Sequence, residues 1–257
     1  MGKLNFVRQG RGPAIVLSHA LGCDLTMWDE TAAQLTPGYT VLRYDHRGHG
    51  NSGIVPGPFG IEDMADDAAA LIVSQLDGPV HFVGISMGGM VAQEIAVRHP
   101  HLVASIVVAN SSSYYDDTAR GLWRSRVEAV ANQGMGAVAD GAMQRWFTHG
   151  FRRDAQGAGR VAALRAVLEA TDPKSYAAAC EAVSRIDFRT TNPLVACPAL
   201  VIAGMCDEAA PLAMSEAICQ AISGAELATI EAAHLSAVEK PAEFAVLVAA
   251  FIRGLQA

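Results

Sequence analysis

Six short runs of β-branched and other apolar residues recur along the chain: AIVLSH (14–19), YTVLRYD (39–45), VHFVGI (80–85), VASIVVAN (103–110), ALVIAG (199–204) and AELATIE (225–231). Between most of them lie stretches of helical period, such as IEDMADDAAALIVSQL (61–76) and MVAQEIAVRHP (90–100). Strand-length runs alternating with helix-length ones predict an α/β fold, a mostly parallel sheet flanked by helices. The alternation stops after Asn110. From about Asp116 to Arg189 the pattern is helical only, with four or so helices before a strand resumes near Pro198. We therefore expect a core formed by 1–115 and 190–257, carrying a helical cap inserted at 116–189.

A chain of 257 residues, 51% of them hydrophobic, can bury one core of this size, and no repeat or long linker divides it. The formal charge is −7 and no Lys/Arg-rich run occurs, which argues against nucleic acid or an anionic membrane surface as partner. The first residues lack an apolar run of signal-peptide length, and no segment reaches about 18 apolar residues. A soluble, cytoplasmic protein is the expectation. Five cysteines, Cys23, Cys180, Cys197, Cys206 and Cys219, are widely spaced with no CxxC pair. They are expected as buried free thiols rather than a disulfide framework or zinc site. No metal or organic cofactor is implied.

The stretch VHFVGISMGGMVAQEIA (80–96) turns from strand to helix through Gly84-Ile85-Ser86-Met87-Gly88. This fits G-x-S-x-G, in which a serine sits on a strained turn and its glycines let strand and helix backbones approach. The helix starting at once directs its unpaired N–H groups toward the serine, where an oxyanion would form. A serine needs a histidine to take its proton and a carboxylate to orient that histidine, here in the chain order Ser, Asp/Glu, His. PALVIAGMCDEAAP places Asp207 just past one strand end, and AELATIEAAHLSAVEKP places His234 just past the next. Glu208 competes with Asp207, which is preferred for its spacing from the strand. Of the other histidines, His81 falls inside a strand, His99 and His101 flank Pro100, His149 falls in the cap, and His46 and His49 belong to the turn YDHRGHGNS. His19, in SHALG, follows an early strand and is assigned to backbone positioning. The expected oxyanion donors are the N–H groups of Leu21 and Met87.

These residues resemble the α/β-hydrolases, and within them the 3-oxoadipate enol-lactonases. The resemblance is carried by LSHALGCDLTMWD (17–29), LRYDHRGHGNS (42–52), GISMGGMVAQEIA (84–96), RWFTHGF (145–151), ATDPKSYAAACEAV (170–183), ALVIAGMCD (199–207) and AAHLSAVEKP (232–241). It implies hydrolysis of a small enol-lactone bearing a carboxymethyl arm to the open 3-oxo-dicarboxylate, a late step in bacterial aromatic breakdown. Three features depart from that family: only KLNFVRQ precedes the first strand, implying a shortened sheet edge; the acid loop reads MCDEAAP; and Ala20 stands where many relatives have Gly. The pocket is expected between cap and core, lined by Trp123, Trp146 and Phe147. Arg145 and Arg152, flanking the aromatic pair, are the candidates for a substrate carboxylate. A carboxylesterase, another lactonase or a carbon–carbon bond hydrolase would use the same triad. A non-catalytic binding protein on the same fold is the alternative from another class.

Overall fold

The computed structural model describes residues 4–255. Its sheet has seven strands: β1 (Phe6–Gln9), β2 (Ala14–Ser18), β3 (Thr40–Tyr44), β4 (Val80–Ile85), β5 (Val103–Ala109), β6 (Ala199–Gly204) and β7 (Glu226–Ile230). They lie in the order β1-β3-β2-β4-β5-β6-β7, and every neighbouring pair is parallel except β1 with β3. All six residues of β4 and of β6 are buried, so both faces of the sheet are covered there, which suits unbroken apolar runs. The covering helices include α1 (Asp29–Leu35), α2 (Ile61–Gln75) and α3 (Met87–Arg98), with α9 (Leu212–Ala221), α10 (Ser236–Glu239) and α11 (Pro241–Gly254) after the cap. Within these layers α2 lies against α3 and α1 against α11. The Trp28 and Phe244 rings, both fully buried, meet 5.8 Å apart at the foot of α11.

The strand at Phe6–Gln9 was not apparent in the sequence. It is a four-residue edge strand whose Arg8 and Gln9 are exposed, so it carries no apolar run to mark it. KLNFVRQ therefore holds an antiparallel edge strand of its own, paired with β3, which the sequence reading does not assign.

The strand order locates the crevice. After β2 the chain moves to β3 on one side, whereas after β4 it moves to β5 on the other, and β2 and β4 are neighbours with Ser18 opposite Gly84. At such a reversal the loops leaving the two carboxyl ends diverge and leave a ligand-sized gap. The loop after β2 and the turn at Ser86 therefore meet at this gap.

Between β5 and β6 come five helices: α4 (Asp117–Gln133), α5 (Gly136–Trp146), α6 (His149–Arg153), α7 (Ala155–Ala170) and α8 (Pro173–Ser184). Their starts follow capping chemistry, since the Asp116, Asp154 and Asp172 carboxylates accept from the N–H groups of Ala119, Gly157 and Ser175. The five-residue α6 is too short to reveal a period, hence the expectation of about four. Cys23 and Cys180 are buried, but Cys197 and Cys219 are only half-buried and Cys206 is exposed, so the expectation of uniformly buried thiols fails; all five are free. Among the described residues no helix is long and apolar enough to cross a membrane.

Candidate active site

The turn at Ser86 is closed by backbone contact. A Cβ on Gly84 would lie 1.9 Å from the Gly88 carbonyl oxygen, and one on Gly88 would lie 2.0 Å from that of Ser18. Ser86 adopts φ 56°, ψ −117°, a region that costs a non-glycine residue about 1–3 kcal/mol. Its surroundings hold it there. The Ser86 N–H donates to Ala109 O at 2.9 Å, while Ser86 O accepts from Met90 N–H at 3.1 Å and from the Ser111 hydroxyl at 2.8 Å.

Three loops then converge. Ser86 Oγ lies 2.8 Å from His234 Nε2, and His234 Nδ1 lies 2.9 Å from Asp207 Oδ2. An ionised carboxylate only accepts, so Nδ1 carries the proton and Nε2 is free to accept from the serine hydroxyl. Asp207 Oδ1 accepts from the N–H groups of Ala209 and Ala210, at 2.8 and 2.9 Å. Burial pushes the Asp207 carboxyl up, but the His234 charge and hydrogen bond, with the Ala210 N–H and the Asn110 amide, outweigh it and hold it below the usual carboxylate range. Glu208, the competing carboxylate, is exposed and lies on the pocket wall away from the histidine's hydrogen bonds.

Asn110, which follows β5, was not singled out from the sequence. It is fully buried at φ 47°, a conformation Asn tolerates better than most residues. Its Nδ2 donates to Asp207 Oδ2 at 3.0 Å and to Ala233 O at 3.3 Å, and its Oδ1 accepts from the Ser236 hydroxyl at 2.6 Å. One amide thus spans the acid loop and the histidine loop. The available signal was an Asn at the carboxyl end of a central strand.

Leu21 and Met87 both border the pocket beside Ser86. Met87 is the first residue of α3, and neither N–H has a protein acceptor among the described residues. The loop carrying Leu21 is fixed from beneath. His19 Nε2 accepts from the His46 N–H at 2.9 Å, which leaves Nδ1 to donate to Ala20 O at 2.8 Å. The His46 ring packs 4.5 Å from His19 and reaches Ser18 Oγ at 2.9 Å, and His49 lies 5.3 Å from His19. His46 and His49, read from sequence as turn residues, are therefore a buried support for this loop.

That support has a pH consequence. Burial pushes His19 from 6.5 to about 4 and, with the His19 charge adding, His49 to about 3; burial also drives His46 well down. Above pH 6.5 these rings are neutral whether the chain is folded or not. Below it the unfolded chain binds protons that the folded one refuses, so stability declines until the folded values are passed, His19 alone accounting for about 3 kcal/mol. Urea unfolding at a series of pH values should show this decline, and His49→Gln should flatten it by about 1.4 kcal/mol per pH unit. An unchanged slope in that variant would contradict neutral burial.

Above Ser86 lies a cavity of about 320 Å³, small enough to suit a compact substrate. Trp123, Trp146 and Arg145 line it as expected. Phe147 and Arg152 do not. Phe147 is 1% exposed and stacks 5.4 Å from Phe151 inside the cap, and Arg152, on α6, points its Nε into a buried spot without a partner. The second arginine on the wall is instead Arg126, its guanidinium 4.3 Å over the Trp123 ring. Neither Arg126 nor Arg145 forms an ion pair among the described residues, whereas Arg120, Arg160, Arg165, Arg185 and Arg189 all do. Burial lowers the Arg145 pKa, and the nearby Arg126 charge lowers it further.

The model of the alpha/beta hydrolase fold family matches residues 13–241. The 3-oxoadipate enol-lactonase 2 of Acinetobacter baylyi is 34% identical over 243 residues, covering 94% of this chain and 90% of the relative. The crystal structure of an enol-lactonase from Burkholderia xenovorans LB400 superposes with a TM-score of 0.93 at 34% identity, covering 98% of this chain and 97% of the other. A thermophilic esterase from Thermogutta terrifontis, solved with malate bound, also gives 0.93 at 28% identity, covering 100% and 95%. With the family match spanning residues 13–241 of 257, the chain belongs to the alpha/beta hydrolase fold family.

Proposed function

We propose that the protein is a serine hydrolase that opens a small carboxylate-bearing enol-lactone, 3-oxoadipate enol-lactone, to 3-oxoadipate. The observation that carries this reading is the pair of unpaired guanidiniums, Arg126 and Arg145, on the wall of the pocket above Ser86. Partly buried cations without counter-charges are costly, and an anionic substrate would relieve both desolvation and mutual repulsion. The enol-lactonase relatives and the malate-bound esterase support the same substrate chemistry.

In this reading Ser86 Oγ attacks the lactone carbonyl carbon as its proton passes to His234 Nε2. Asp207 stabilises the resulting imidazolium across the 2.9 Å contact. The carbonyl oxygen becomes an oxyanion facing the N–H groups of Leu21 and Met87. On collapse the ring C–O bond breaks, and the enol oxygen takes the proton back from His234. An enolate is a better leaving group than an alkoxide, so little further acid catalysis is required. The opened chain remains tethered as an acyl ester on Ser86 until a water, deprotonated by His234, attacks the acyl carbon; the ester bond then breaks as His234 returns that proton to Ser86 Oγ, freeing the second carboxylate, and the enol tautomerises to the 3-oxo acid.

The test compares the carboxymethyl enol-lactone with α-angelica lactone, an enol-lactone lacking the carboxylate, and with p-nitrophenyl esters. The charged lactone is expected to have a kcat/KM about 10²-fold or more above the neutral one, because a site built around a charged group discriminates strongly against substrates lacking it. Equal rates, or a preference for neutral esters, would return the protein to the general carboxylesterases.

A further inference from the structure

We infer that Glu239 is a positioning residue that fastens the His234 loop to the cap, so that occupation of the cap side of the pocket is transmitted to the base. Glu239 closes α10, is 9% exposed, and has no cationic partner among the described residues. A buried carboxylate in that condition is tolerated only when its oxygens are fully engaged. Here they are: Oε1 accepts from the Thr148 N–H at 2.7 Å and the Ala233 N–H at 3.3 Å, and Oε2 accepts from the Thr148 hydroxyl at 2.9 Å. Thr148 is the N-cap of α6 and accepts from Phe151 N–H at 3.2 Å. On the other side of His234, the Leu235 N–H donates to Trp146 O at 3.0 Å.

The N–H groups immediately before and after His234 are thus held by hydrogen bonds that end on cap residues 146–148, directly for Leu235 and through Glu239 for Ala233. The other two members of the triad are held differently. Ser86 is held by Ala109, Met90 and Ser111, and Asp207 by Ala209, Ala210 and Asn110, all of them core residues. Trp146 itself lines the pocket. A substrate pressing on Trp146 displaces the α5–α6 junction, and the Thr148–Glu239–Ala233 chain makes the histidine loop follow. Without Glu239 that movement pulls on Leu235 alone, and the loop twists about His234. A two-carbon acyl group that leaves Trp146 untouched leaves the loop on its core contact, Asn110 Nδ2 to Ala233 O at 3.3 Å. Loss of Glu239 therefore falls on cap-filling substrates more than on minimal ones, and on kcat more than on KM.

This inference rests on the triad reading above, and the experiment separates the two. Wild type, Glu239→Ala, Glu239→Gln and Thr148→Val are assayed on the carboxymethyl enol-lactone and on p-nitrophenyl acetate, with Ser86→Ala as blank and rates corrected for folded fraction. A misaligned base is expected to lower Glu239→Ala kcat on the lactone about 30-fold, with KM changed less than about threefold and the acetate rate less than about fivefold. Glu239→Gln, which keeps an accepting oxygen, should recover most of the loss. Thr148→Val, which removes the bond to Oε2 and the cap bond from the Phe151 N–H but keeps the Thr148 N–H bond to Oε1, should show the same substrate bias at smaller size even where Glu239→Ala fails to fold. Equal losses on both substrates, or unchanged kcat on the lactone in the folded variants, overturn the strut alone. A wild type that turns over neither substrate overturns the triad reading and the strut with it.

Discussion

Ser86→Ala is expected to lower turnover about 10⁶-fold on any substrate the protein accepts, while leaving the fold and ligand binding intact. The size follows from the geometry. The Ser86 hydroxyl is the group that His234 Nε2 faces at 2.8 Å, so its removal takes away the covalent route and strands the base without a proton to accept. His234→Ala should cost about as much, since an unassisted serine hydroxyl at neutral pH is a poor nucleophile. Asp207→Asn should cost less, about 10⁴-fold, because the histidine remains but loses its orienting carboxylate. The double variant Ser86→Ala/His234→Ala should be no worse than either single one. The measurements are kcat per folded protein and intact mass after treatment with a fluorophosphonate. One adduct is expected on the wild type and none on Ser86→Ala, and retention of more than about 1% of activity in Ser86→Ala would remove the serine from the mechanism.

The serine could be read directly from the chain because its requirements are local. Gly84 and Gly88 must be glycines for the backbones to touch at the elbow, and both stand within two residues of Ser86. Asp207 and His234 are far from it in sequence, yet strand ends in a parallel sheet share one edge, so position after β6 and after β7 was enough to bring them forward. The supporting groups carried no such mark. Asn110 acts through a positive φ and an amide shared by two loops, neither of which leaves a pattern in the residues around it. His46 and His49 looked like turn residues because Gly48 and Gly50 surround them; only the folding of that turn beneath the loop of His19 buries them. The cap arginines were the least legible. Their roles depend on which helix face meets the core: Arg152, on α6, does not line the cavity, and Phe147, between α5 and α6, packs on Phe151 instead. For Arg126 a faint signal existed, its i,i+3 spacing from Trp123 on α4, which sets guanidinium and indole on one helical face.

Arg126→Met and Arg145→Met are each expected to lower kcat/KM for the carboxymethyl enol-lactone by about 10–10²-fold, the worth of a charge-assisted hydrogen bond in a partly buried site. The double variant should lose the preference for a charged substrate altogether and turn over α-angelica lactone as well as the wild type does, or better. The asymmetry arises because the two guanidiniums repel one another in the empty pocket, Arg126 being a cause of the lowered Arg145 pKa. Removing one relieves the other, so a neutral lactone loses nothing while the anion loses a partner. Lysine is a poor replacement at Arg126, where the planar guanidinium lies 4.3 Å over Trp123 and an ammonium would neither stack nor grip a carboxylate with two parallel bonds. A second readout avoids turnover. On Ser86→Ala, titration with succinate should raise the melting temperature as the dianion occupies the pair, following RT ln(1 + [L]/Kd), and that rise should vanish when Arg126→Met is added. A dianion that stabilises both backgrounds equally would place the carboxylate elsewhere, and the substrate would then have to be read from the neutral walls of the pocket alone.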